Sequence, residues 1–140
     1  TVAMQNETTF AGRTGLILLA HGSRDALWRQ PIEAVLKAVQ QTHPQSLAAC
    51  AYLEACAPDL PTAARGLVEA GATHITVLPL FLGTGKHARE DIPKLVQEIS
   101  DTHPQVAVDL QPAVGEHPRV TALLAELALV ATEPRGAPGS

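Results

Sequence analysis

Two histidines stand directly after apolar, strand-like runs: His21 in Leu16–Asp25 (LILLAHGSRD) and His87 in Ile75–Asp91 (ITVLPLFLGTGKHARED). Glu54 ends a third such run, Ala51–Glu54 (AYLE), and positions 21, 54 and 87 are evenly spaced. Two imidazoles and a carboxylate can hold a divalent transition metal with open coordination positions, or move protons near neutral pH. An imidazole must be neutral to ligate, so such binding weakens as pH falls. A lone loop histidine is usually just solvated, and a lone glutamate ahead of a helix usually answers the helix dipole. Three such residues delivered to one place favour a site.

For the three to meet, the elements before them must end at one edge. The apolar patterning predicts strands at 15–21, 46–54, 74–81 and 105–111, and helices at 27–42, 59–70, 88–102 and 117–131. Leu95, Val96 and Ile99, and Leu123, Leu124, Leu127 and Val130, recur at helical spacing, and Gly71 suits a helix C-cap. Strict alternation predicts an α/β domain with a four-stranded parallel sheet, right-handed crossovers and helices on both faces. In such a sheet the loops that follow strands all emerge at the carboxyl edge, where ligands bind. The sequence Thr-His-Pro-Gln occurs at 42–45 and again at 102–105, each time between a helix and the next strand. The polar, aperiodic residues 1–13 and the Pro- and Gly-rich residues 133–140 read as flexible ends of a domain spanning 14–132.

Composition removes several function classes. Of 140 residues, 46% are hydrophobic but only 3% aromatic, so the core must be built from Leu, Val, Ile and Ala. A net charge of −4 without a basic block disfavours nucleic acid, whose phosphates need clustered Lys and Arg. No apolar run approaches the roughly 20 residues that span a bilayer, and the first residues lack a signal-peptide core. Two cysteines are too few for a disulfide framework. A cytoplasmic protein is expected.

The remaining candidates rank below the first three. His43, His74 and His103 fall at the opposite edge; His117 follows the fourth strand and is a second candidate on the ligand side. Cys56 could supply a soft thiolate, whereas Cys50 reads as a small core residue. Ser23 and Arg24 in one loop, and Gly83, Thr84, Gly85, Lys86 and Arg89 in the other, precede helices whose free N–H groups attract anions. Neither loop has the phosphate-loop pattern, and no Gly-x-Ser-x-Gly hydrolase elbow is present.

LILLAHGSRD, the segment Ala51–Pro58 and VLPLFLGTGKHAREDIP (77–93) resemble the short-form, CbiX-type sirohydrochlorin chelatases, class II enzymes that insert cobalt, iron or nickel into sirohydrochlorin. The resemblance covers residues 15–131, including GEHP at 115–118. It implies a chelatase half-unit with flavodoxin-like strand order 2-1-3-4. It implies that His21 and His87 bind metal and act in catalysis, with Glu54 as acidic partner. The divalent metal would be a substrate, cobalt before iron or nickel, with no permanently bound cofactor. Sirohydrochlorin is anionic, so Ser23, Arg24, Gly83, Thr84, Gly85, Lys86 and Arg89 would hold its rim. Short forms pair as homodimers, and a broad, flat ligand needs the second wall that a partner provides. The alternative is a non-catalytic metal or tetrapyrrole carrier of the same fold. A nucleotide binder would leave the paired histidines unexplained.

Overall fold

Strand β1 (Arg13–Ala20) is the axis of the molecule: Ile17, Leu18, Leu19 and Ala20 are all buried, so both of its faces are covered. In this computed structural model, which describes residues 13–134, β1 lies between β2 (Leu47–Tyr52) and β3 (Ala72–Pro79). β4 (Ala107–Leu110) flanks β3, giving a wholly parallel sheet of order β2-β1-β3-β4. The fold class and strand order agree with the sequence reading. The flexible ends expected there lie outside the described residues except for Arg13, which already belongs to β1, and Glu133 and Pro134.

Four helices connect and follow the strands: α1 (Ala26–Thr42), α2 (Leu60–Glu69), α3 (Lys86–Thr102) and α4 (Pro118–Ala131), with a short 3₁₀ turn at Val114–Glu116. Strand side chains alternate between faces. Ile17, Leu19, Ile75 and Val77 point to one side and form the main core with Leu60, Ala64 and Leu67 of α2 and Ile92 and Ile99 of α3. Leu18, Ala20, Cys50 and Tyr52 point to the other side and meet Ile32 and Leu36 of α1. Helices therefore cover both faces, as expected, but unequally.

Element ends differ from expectation where a local residue decides them. β2 stops at Tyr52 because the chain turns through Leu53–Ala57, where Ala55 takes φ 70°. Glu54 thus sits in a loop rather than on the strand. α3 begins at Lys86, two residues early, because Gly85 takes the extended N-cap conformation without a side-chain cap that a sequence could advertise. β3 ends at Pro79, which has no N–H to continue the ladder. The two Thr-His-Pro-Gln segments form equivalent turns. His43 and His103 are C-caps whose N–H groups donate to Val39 O and Ile99 O, and whose carbonyls accept from Ser46 and Val106. Among the described residues, no helix is long and apolar enough to cross a membrane.

Candidate functional site at the carboxyl edge

His21 is the first residue beyond β1, and its backbone is tied to the loop after β2. Its carbonyl accepts from the N–H groups of Leu53 (3.1 Å) and Glu54 (2.9 Å). Gly22 follows with φ 108°, and a Cβ there would fall 1.8 Å from the Glu54 carbonyl oxygen. Only glycine permits this approach. The loops carrying His21 and Glu54 are therefore in backbone contact.

The loop after β3 completes the contact. The His21 imidazole stacks on the ring of Phe81, centroids 4.3 Å apart and planes 25° from parallel. Phe81 itself is buried, so a fixed surface sets the orientation of an exposed imidazole. Leu80 N–H donates to Leu19 O at 2.7 Å, and Gly115 N–H donates to Phe81 O at 2.9 Å, pinning the loop from both sides. His87 lies beyond this loop as the second residue of α3, exposed, in the turn whose N–H groups have no intrahelical partners.

The expected rim residues divide by what they already hold. Ser23 Oγ accepts from Asp25 N–H (3.0 Å), and its carbonyl accepts from Arg29 (2.9 Å). Asp25 in turn caps α1 by accepting from Leu27 N–H (2.9 Å). Ser23 thus builds the turn before α1. Arg89 donates through Nη1 to Thr84 O (2.7 Å), holding the glycine loop closed on its own helix. Arg24 and Lys86 are exposed, and the space beside the Cα atoms of Gly83 and Gly85 is open.

The structure thus brings His21, Glu54 and Phe81 together from three strand ends, with His87 at the start of the next helix. Among the described residues, no three or more His, Cys, Asp or Glu side chains gather as a cage for a metal ion. A cavity of about 710 Å³ lined by Arg13, His43 and Ser46 and one of about 850 Å³ lined by Leu78 and His117 lie elsewhere.

The other candidates have structural work. His117 is the N-cap of α4: its Nδ1 accepts from Arg119 N–H at 3.0 Å. Cys50 is buried beside Ile32, and burial pushes its thiol up. Burial likewise pushes the Tyr52 phenol up to about 12, helped by the neighbouring Cys50. Cys56 is half-buried, with its N–H on Glu54 O (2.8 Å). The sequence reading missed Phe81 and the close approach at Gly22. One signal existed for the first: Phe81 is one of only two phenylalanines in the chain.

Residues 15–129 match the CbiX family model. A sirohydrochlorin cobaltochelatase of Sulfolobus acidocaldarius is 30% identical over 114 residues, covering 81% of this chain and 89% of that protein. A sirohydrochlorin ferrochelatase of Bacillus subtilis is 29% identical over 103 residues, covering 74% of this chain and 40% of that protein. This ferrochelatase and that of Priestia megaterium are longer proteins, of which this chain covers 40% and 42%, and the matches to the cobaltochelatases of Methanopyrus kandleri and Methanocaldococcus jannaschii cover 57% and 62% of those proteins. The crystal structure of a CbiX protein from Marinobacter aquaeolei superposes with TM-score 0.70 at 33% identity, covering 84% of this chain and 96% of that one.

Proposed function

The chain belongs to the CbiX family, and from that premise we propose that it is a cytoplasmic sirohydrochlorin chelatase that inserts a divalent metal, cobalt before iron or nickel. The observation that carries this reading is the fixed His21 imidazole, stacked on Phe81 and tied through its backbone to the Glu54 loop. Metal insertion removes two pyrrole N–H protons and replaces the water around the ion with four ring nitrogens. The macrocycle gains one divalent cation and loses two protons, so its net charge is unchanged.

His21 and His87 hold the ion on its way to the ring face. Two protein ligands suit a substrate ion better than a closed cage does, because a metal to be handed on must be held with positions open. Glu54, exposed beside the His21 backbone, accepts the displaced protons and passes them to water. Arg24, Lys86 and the remaining N–H groups of Arg89 face the substrate carboxylates, assisted by free N–H groups at Ser23 and through Gly83–Gly85. The open edge offers one wall for a broad ligand, and a second copy of the chain supplies the other.

The test follows the visible spectrum of sirohydrochlorin with protein at one-hundredth of its concentration. Cobalt, iron and nickel are supplied in parallel under anaerobic conditions. The reading expects many equivalents of product per chain, fastest with cobalt. One equivalent or less with every metal would instead identify a carrier.

A further inference from the structure

Ala55 holds a backbone conformation that alanine rarely adopts. Its φ is 70°, and among the described residues no other non-glycine residue takes a positive φ. Left-handed backbone drives the Cβ of an L-residue toward the following carbonyl oxygen, so glycine is the usual occupant. Nothing local offsets that cost. Ala55 is exposed, so its methyl fills no core, and it has no polar group to bond the turn as asparagine would. Strain of this kind clusters at functional sites, where surrounding contacts over-determine it.

Such contacts surround Ala55. The loop after β2 is closed at its base, where Tyr52 N–H donates to Pro58 O at 2.9 Å. Both flanks of the turn are anchored: Tyr52 is buried in the core beneath α1, and Cys56 packs against the same cluster. Between them, Glu54 N–H donates to His21 O at 2.9 Å, and Glu54 O accepts from Cys56 N–H at 2.8 Å. That carbonyl also lies against Gly22, where a Cβ would stand 1.8 Å from it. A hydrogen bond from Cys56 back to Glu54 across a residue of positive φ makes Glu54–Ala55–Cys56 a γ-turn of the rare, strained kind. Glu54 is thus held on both sides of its Cα. Its N–H is fixed by the His21 carbonyl, and its own carbonyl by a turn that the torsions of Ala55 keep shut.

We infer that Ala55 is a positioning residue for Glu54: its β-carbon confines the γ-turn to one narrow well and so fixes where the Glu54 carboxylate stands beside the His21 loop. This rests on the chelatase reading above, in which Glu54 accepts the displaced protons, and names what holds the acceptor in place. Glycine at this position would form the same turn without strain, but it populates negative φ as readily as positive. The bond from Cys56 N–H to Glu54 O would then open, leaving Glu54 to swing on its remaining tie to His21. A proton acceptor must stand within hydrogen-bond reach of the group that gives up the proton. A carboxylate spread over several positions meets that condition only part of the time, and misplacement by an ångström is costly. The chain therefore keeps a residue that lowers stability at the one turn where rigidity serves the reaction.

Ala55→Gly is the test, read by melting, amide exchange and steady-state cobalt insertion into sirohydrochlorin. Tm should not fall and should rise by up to about 4 °C, since relief of the left-handed cost outweighs the entropy of glycine. The Cys56 amide should exchange at least about tenfold faster, because its bond to Glu54 O opens locally. Turnover should drop about tenfold in kcat, with KM for sirohydrochlorin within about twofold of the parent. In a Glu54→Gln background the same change should cost nothing further, as two residues acting through one group require. Ala55→Asn keeps a β-carbon and tolerates positive φ, so it should restore both slow exchange and turnover. Parent-like kcat in Ala55→Gly, an equal loss in the Glu54→Gln background, or a loss carried by KM alone would each overturn the inference. A fall in Tm would do so too, by showing that the methyl merely supports the fold. A parent chain that inserts no metal would instead overturn the chelatase reading, and the role of Ala55 with it, so the two failures are distinguishable.

Discussion

Gly22→Ala is the most informative single change outside the candidate site side chains. Gly22 has φ 108°, a conformation that costs an alanine of the order of 1–3 kcal/mol. The added methyl also meets the Glu54 carbonyl oxygen at 1.8 Å and Tyr52 Cβ at 3.2 Å. Backbone cannot yield as a flexible side chain does, and overpacking of this kind costs about 1–3 kcal/mol. Relief requires the Glu54 loop to move away from His21, weakening two hydrogen bonds of about 1 kcal/mol each. With partial relaxation the net loss is about 3 kcal/mol. For a domain of this size that lowers Tm by about 12 °C. Gly83→Ala is the control, since nothing lies within 4 Å of the position its methyl would take and its φ is unexceptional; it should shift Tm by less than about 2 °C. Thermal melts followed by circular dichroism read both. A Gly22→Ala melt no further from the parent than that of the control would refute the claim that the His21 and Glu54 loops are locked through their backbones.

Phe81→Ala removes a buried ring and the surface that orients His21, so it should cost about 3–5 kcal/mol in urea denaturation and reduce turnover among the molecules still folded. His117→Ala removes a helix cap and should cost about 1 kcal/mol with turnover per folded molecule unchanged, which separates it from His21. Tyr52 is the one tyrosine, and ultraviolet titration should show its phenol ionising near pH 12 in the folded protein. Because the folded value is raised, this group's contribution to stability is intact below about pH 10 and is lost as pH climbs toward 12; a phenol that titrates near 10 before unfolding would contradict its burial. Thiol labelling at mildly alkaline pH should modify Cys56 before Cys50, whose thiol is pushed up by burial.

The sheet was legible because buried parallel strands leave a coarse signature: the run from Leu16 to Ala20 is apolar at every position, and a helix-forming stretch follows each such run. His21 could be placed at the strand end for the same reason. Glu54 could not be placed as well, since the turn that releases it from β2 depends on Ala55 taking a conformation alanine rarely adopts. The Phe81 stack and the Gly22 contact join residues far apart in sequence, and no local pattern encodes them. The spacing of Leu123, Leu124, Leu127 and Val130 correctly marked a helix. It did not reveal that Leu129 and the intervening alanines leave α4 with scarcely a polar face, the property that sets it apart from α1, α2 and α3.

The chelatase reading stands or falls with the two imidazoles as the groups that handle the metal. Steady-state cobalt insertion into sirohydrochlorin by His21→Ala and His87→Ala, each first checked for native circular dichroism, probes them without intermediary. Each variant should lose at least about 100-fold in turnover, the scale of a lost positioned acid–base or ligand group. Near-native turnover by either one would remove that histidine from the metal's path and overturn the assignment.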